Sequence, residues 1–224
     1  MFSGIVENQT TVMELINRPG VLIMTLQRPE NFADLKTGDS IAVNGICLTL
    51  EKFDQGSMTF ALGEETLKVT GWSPDFLRKQ NLNLERSMRL GDRLHGHLVL
   101  GHVDACGEVV ARDEVGEGLK LTIRFPEKLK TMIWTKGSLT VNGVSLTINQ
   151  VDGLKLTVGL IPHAGKVEAR GHIRAANEDG LRVGFHERMK AEVAGRGSPQ
   201  HAAGCGCNAG SKKSSASQVH LHLR

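Results

Sequence analysis

One-signed charge, long apolar runs and regular helical spacing are all scarce in this chain of 224 residues. Its 27 Lys and Arg stand against 24 Asp and Glu, a formal net charge of +3. The basic residues are scattered, so no nucleic-acid surface is expected. No apolar stretch approaches the roughly 20 residues of a membrane-spanning helix, so no membrane partner is expected either. Residues 1–7, MFSGIVE, lack a basic region followed by an apolar core, which argues against a secretory signal. The four cysteines, Cys47, Cys106, Cys205 and Cys207, form no disulfide framework and fit a reducing, cytoplasmic compartment.

What is present is glycine, 26 residues of it, together with short alternating segments separated by Gly, Asp and Asn. Hydrophobic content of 40% and charged content of 23% are those of an ordinary globular protein with one or two cores. The alternation points to an all-β sandwich or barrel.

One seven-residue stretch occurs twice. Val43-Asn44-Gly45-Ile46-Cys47-Leu48-Thr49 returns as Val141-Asn142-Gly143-Val144-Ser145-Leu146-Thr147, 98 residues on (43 to 141). Thr37 with Thr135 and Ser40 with Ser138 keep the same offset. A period of domain length predicts two like-built domains and not a solenoid. Each copy reads as strand, Asn-Gly turn, strand. Carrying the offset to the first residues aligns Phe2 with Leu100, Gly4 with His102 and Ile5 with Val103, so a second unit is expected from residue 98. The units are expected at 1–97 and 98–194, with a low-complexity tail at 195–224.

Along the first unit, strands are expected at residues 1–7 (broken by Gly4), 21–26, 57–62 and 82–85. A helical turn is expected at 32–35, a helix from Glu64, and a short helix within 72–79. In the second, residues 109–125 read as two strands about Gly116-Glu117-Gly118, 129–134 as the helical turn, and 154–161 as a strand. Phe185, Met189 and Val193 are spaced as one stripe of a short helix.

MFSGIVE, the pair NGICLT and NGVSLT, LNLERSMRLGDRLHGHLVLGHVD, WTKGSLTVNG and LIPH together resemble riboflavin synthase, over residues 1–163. The resemblance implies two tandem six-stranded Greek-key β-barrels with a short C-terminal helix, in a homotrimer able to associate with lumazine synthase. It implies a transferase without cofactor or metal. Two molecules of 6,7-dimethyl-8-ribityllumazine exchange a four-carbon unit, giving riboflavin and a ribitylamino-pyrimidinedione, each barrel holding one substrate. In this chain the resemblance implies substrate contacts from Gly4, Ile5 and Val6, with Ala61, Leu62, Gly63, Glu64, Glu65 and Thr66 wrapping the other side of the ring, and from Cys47, Leu48 and Thr49. The second barrel would use Gly101, His102 and Val103, then Ser145, Leu146 and Thr147, then Val158, Gly159, Leu160, Ile161, Pro162 and His163. Lys136 would reach in from a neighbouring subunit. His102, Cys47 and Ser145 are the catalytic candidates. Histidine titrates nearest neutrality and suits proton transfer, and a thiolate is a strong nucleophile, though water or hydroxide would also serve.

Other readings carry less weight. A small Cys in a barrel strand, taken alone, is more often packing than chemistry. Thr49 and Thr147 are good strand formers in any case. His95, His97 and His102 lack a nearby carboxylate or thiol cluster for a metal, and Cys205 and Cys207 with His220 and His222 lie in a tail of low complexity. A flavin reductase would need a nicotinamide-binding α/β domain, of which there is no Gly-rich signature. After residue 163 the chain departs from the family. Ala164 replaces a Thr, and the closing-strand Asp has no clear counterpart, Asp179 being the nearest acid. A shift of reading frame near Ala164 would account for this. The departure favours the alternative of a non-catalytic lumazine- or flavin-binding protein of the same fold.

Overall fold

A computed structural model describes residues 1–160. The expectations for the stripe at 185–193, the tail, the closing strand of the second unit, and Ile161, Pro162 and His163 lie outside the described residues.

Alternation builds the two cores. In β3 (Val21–Gln27) every second residue, Leu22, Met24 and Leu26, is buried. The same rhythm runs through β5 (Ile46–Phe53), where Ile46, Leu48 and Leu50 are buried. It recurs in β9 (Gly118–Arg124), β11 (Val144–Asp152) and β12 (Lys155–Leu160). A period of two places one face of each strand inward, and burying apolar surface there stabilises the sheet.

The first sheet has the order β1-β7-β4-β5-β6-β3-β2, with β1 at Asn8–Thr10, β2 at Val12–Arg18, β4 at Ser40–Val43, β6 at Ser57–Gly63 and β7 at Leu82–Arg86. β1 and β2 end the order on opposite sides, yet only Thr11 separates them in the chain. One extended run therefore bends from one edge to the other and closes the sheet into a six-stranded barrel, which removes its open edges. The sequence does not announce this run: TTVMELINR, mostly exposed, carries little inward apolar signal. Helices α1 (Glu64–Thr70) and α2 (Pro74–Arg78) connect β6 to β7; Ser73 caps α2, its Oγ accepting from Phe76 N. The second sheet, β10-β11-β12-β9-β8, with β8 at Glu108–Val115 and β10 at Ser138–Val141, repeats the order β4-β5-β6-β3-β2. The tandem-barrel expectation is thus met, down to matching bulges at Val12/Glu14 and Val109/Ala111 and at Leu50/Lys52 and Ile148/Gln150.

Both Asn-Gly pairs make two-residue hairpin turns with positive φ at both positions: 47° and 80° at Asn44 and Gly45, 49° and 83° at Asn142 and Gly143. This is the mirror-image turn whose twist suits antiparallel strands. The two turns abut. A Cβ on Gly45 would lie 2.7 Å from Gly143 N, and one on Gly143 would lie 2.8 Å from Gly45 N. Phe2 and Val99 also bridge each other, with N–H···O bonds of 2.8 and 2.9 Å. Equivalent residues touching each other are the mark of a local two-fold axis between the repeats.

The structure corrects two expectations for the chain's start. Residues 1–7 form no strand beyond the Phe2 bridge, because Gly4 turns the chain at φ 75°. Gly4 matches Gly101 (φ 81°), not His102, so the offset is 97 there (4 to 101) and 98 at the hairpins (44 to 142). The extra residue enters between the Phe32/Leu129 pair, bonded to Pro29 O and Pro126 O, and the Gly38/Lys136 pair, bonded to Leu50 O and Ile148 O. In the second repeat this stretch winds into a 3-10 turn, Glu127–Met132. In the first, residues 32–35 turn without forming a helix.

Asn83 ties the barrels together. Its Nδ2 donates to Asn142 O at 2.8 Å and its Oδ1 accepts from Gln9 Nε2 at 3.1 Å, while its backbone N–H donates to Asn44 Oδ1 at 2.7 Å. Asn83→Ala strands a buried acceptor, and we expect it to cost about 2 kcal/mol in urea unfolding. A loss under about 0.5 kcal/mol would show that this amide does not couple the repeats.

Candidate functional site

On β5 and β11 the side chains between the buried apolar residues face away from the cores: Cys47 and Thr49 on one strand, Ser145 and Thr147 on the other. Each half-buried position meets a glycine from the opposite repeat. Gly4 O accepts from Ser145 N at 2.7 Å, and a Cβ on Gly4 would fall 2.7 Å from Ser145 Cβ. Gly101 O accepts from Cys47 N at 2.8 Å, and a Cβ there would fall 2.6 Å from Cys47 Cβ. The repeats therefore exchange their glycine segments. The expected grouping of Gly4 with residues 61–66 of its own barrel gives way to Gly4 with Ser145 and Gly101 with Cys47.

A carboxylate fixes the Gly4 segment. Glu85, 5% exposed, accepts from Ser3 N at 2.6 Å and Ser3 Oγ at 2.8 Å through Oε1, and from Gly4 N at 3.1 Å through Oε2. Burial raises its pKa above the usual carboxylate value, and the hydrogen bonds from Ser3 and Gly4 offset this only in part. Sequence reasoning puts Glu85 on a strand and gives it no such role, since its partners lie more than 80 residues away.

The two halves of the site differ. Cys47 lies across from Ala42 and packs against Phe2, Ala42 and Val99. At the equivalent places stand Ser145 and Thr140, also cross-strand partners. His97, 5% exposed, bridges them: Nδ1 is 2.7 Å from Ser145 Oγ and Nε2 is 3.3 Å from Thr140 Oγ1. Burial lowers the His97 pKa to about 4, so the ring is neutral at pH 7. The sequence suggests His97 only as a metal ligand with His95 and His102. The structure instead gives it two hydroxyl partners, and among the described residues no group of three His, Cys, Asp or Glu is placed to hold a metal. The Gly96-His97 dipeptide, echoed by Gly101-His102, is the available signal.

The remaining predicted residues divide by side-chain direction. Leu48, Leu62, Leu146, Val158 and Leu160 point into the cores. His102, Thr49, Thr147, Ile5, Gly63, Glu64, Glu65, Lys136 and Gly159 are exposed, and Val6, Ala61, Thr66 and Val103 are half-buried. Lys136 holds a positive φ of 68°, unusual outside glycine. No helix of the described residues is long and apolar enough to cross a membrane.

A family model described as the lumazine binding domain matches twice, at residues 3–87 and 100–178. Riboflavin synthase of Brucella abortus (strain 2308) is 36% identical over 203 residues, covering 87% of this chain and 98% of that protein. Riboflavin synthase of Bacillus subtilis (strain 168) is 36% identical over 163 residues, 73% of this chain and 75% of the relative. The crystal structure of LumP complexed with 6,7-dimethyl-8-(1'-D-ribityl) lumazine superposes with a TM-score of 0.69 at 19% identity, covering 84% of this chain and 99% of that one, a likeness of fold. With the lumazine binding domain matched twice and this identity sustained over most of two curated relatives, the chain belongs to the riboflavin synthase family.

Proposed function

We propose that this protein is a riboflavin synthase, a transferase that dismutates two molecules of 6,7-dimethyl-8-ribityllumazine. The observation that carries the reading is the paired glycine-to-strand contact, Gly4 with Ser145 and Gly101 with Cys47, within a twice-matched lumazine binding domain. A reaction between two molecules of one heterocycle needs two sites of like build, and each glycine, having no Cβ, lets its segment close onto the strand of the other repeat at Ser145 or Cys47. Glu65 and Thr66 would bind ribityl hydroxyls. His102, exposed beside Gly101, would move the proton of the acidic methyl group; Cys47 or water would add to the ring. Lys136 and the homotrimer would complete a pocket shared between subunits, in the cytoplasm and in association with lumazine synthase. We place the units at residues 1–97 and 98–194.

The departure after residue 163 favours the second reading, a lumazine-binding protein without turnover. Purified protein mixed with the lumazine alone separates them. Riboflavin appearing with no added partner, followed by absorbance and fluorescence, is the expected result. Tight binding with no riboflavin would put the binding-only reading in its place. Sequencing the gene tests the reading-frame explanation: absence of a family-like ending in every frame eliminates it.

A further inference from the structure

The repeats are built alike, and they differ where it matters chemically. Ala42 and Cys47 of the first become Thr140 and Ser145 in the second, and among the described residues the second alone has an imidazole seated across that strand pair. Among the described residues, no side-chain hydrogen bond reaches Cys47 Sγ, whose surroundings are Phe2, Ala42 and Val99. Two molecules of one compound playing opposite parts require pockets that are chemically different, and this is a difference the fold supplies.

We propose that His97 is a positioning residue that orients the Ser145 hydroxyl toward the bound ligand, with Thr140 fixing the far side of the ring. The proposal rests on the proposed function, which gives Ser145 its ligand. A neutral imidazole has one N–H and one bare nitrogen, and both neighbours here are hydroxyls that can donate or accept. With the proton on Nδ1, Ser145 Oγ accepts from His97 and its own hydrogen is free to donate to the ligand. With the proton on Nε2, Thr140 Oγ1 accepts from it, Nδ1 takes the Ser145 hydrogen, and the Ser145 lone pairs face outward. In either tautomer the hydroxyl is ordered, where an unpartnered one would rotate. His97 cannot shift to escape this arrangement. Its backbone N–H donates to Ser3 O at 3.1 Å, and its neighbour Gly96 is packed against Ser3 O and Ser145 Cβ. The low pKa that burial gives the ring keeps it neutral, with one donor and one acceptor nitrogen, throughout the neutral range.

The test uses two substitutions that each keep one end of the ring. His97→Asn places an amide near the Nδ1 position and retains a partner for Ser145. His97→Gln reaches toward Nε2 and leaves Ser145 unpartnered. We expect His97→Gln to lower kcat for riboflavin formation roughly tenfold, matching Ser145→Ala, with KM less affected. His97→Asn should fall by less, and His97→Gln added to Ser145→Ala should change kcat by under about twofold. Thermal unfolding of each variant separates a folding loss, which would not discriminate Asn from Gln in this order. Equal losses in the two variants, or effects of His97→Gln and Ser145→Ala that multiply, overturn the proposal. If the unaltered protein binds 6,7-dimethyl-8-ribityllumazine but forms no riboflavin, the functional reading fails while the same cycle, read in the lumazine dissociation constant by fluorescence, still decides the role of His97.

Discussion

Gly101→Ala is expected to abolish measurable turnover, a loss of about a hundredfold or more, and to lower stability by about 3 kcal/mol. Two effects combine. At φ 81° any Cβ is strained, at a cost of roughly 1–2 kcal/mol. The added methyl would also lie 2.6 Å from Cys47 Cβ and 2.8 Å from Cys47 N, and backbone cannot yield as a flexible side chain does. Relief requires moving Gly101 off β5, which breaks the bond from Cys47 N to Gly101 O and displaces His102 with it. Gly91→Ala provides the control: its φ is 98°, but nothing lies within 4 Å of its Cβ, so it bears the strain alone. Urea unfolding and riboflavin formation measured on both variants check this. If Gly101→Ala costs no more than Gly91→Ala, the close approach between repeats does not hold the site. Gly4→Ala, with Ser145 2.7 Å away, should behave like Gly101→Ala by the near-symmetry of the two contacts.

Such cross-repeat contacts separate what the sequence makes legible from what it does not. Elements whose cause is local can be read directly. The Asn-Gly pairs demand hairpins, and the alternation of LKLTVGLI and SMTFAL demands strands, because turn chemistry and period act within a few residues. The start of the chain cannot be read this way. Phe2 is fully buried, and among the described residues its strand-like pairing is with Val99, so its state depends on the other half of the molecule. The one-residue change of offset is hidden for a related reason. It falls in the connection between strands, where a 3-10 turn takes up the extra residue without altering either sheet. Thus the sequence points to Gly4 as a site residue but sets it against the wrong neighbour. His97 and Glu85 escape it as site-building groups because their partners lie 48 and 82 residues away in the chain. Local periodicity says where a side chain points and nothing about what comes to meet it.

Glu85 yields the second large effect, because one side chain holds the segment that faces Ser145. Glu85→Ala removes the acceptor for Ser3 N, Ser3 Oγ and Gly4 N together. Three donors left without a partner in a buried place cost roughly 3–5 kcal/mol, less whatever water the vacated space admits. Gly4 then loses the anchor behind it and keeps its bond to Ser145 N on β11, so riboflavin formation should fall with stability. Glu85→Gln separates charge from contact. Its Oε1 can still accept from both Ser3 groups, while its amide nitrogen opposes Gly4 N–H, so a part of the stability is lost at every pH. The pH dependence is the sharper signal. The folded-state pKa of Glu85 is raised, with burial as the main cause, so the native state holds this proton more tightly than the unfolded chain does. That contribution is fully present below the unfolded value near 4.5 and is lost as pH rises through the raised folded value. Across that window the unaltered protein should lose stability relative to Glu85→Gln. His97 titrates in both proteins and cancels in the difference. Parallel stability curves from pH 4 to pH 8 would overturn this, because they require an unshifted folded-state pKa, with the hydrogen bonds to the carboxylate cancelling its burial in full.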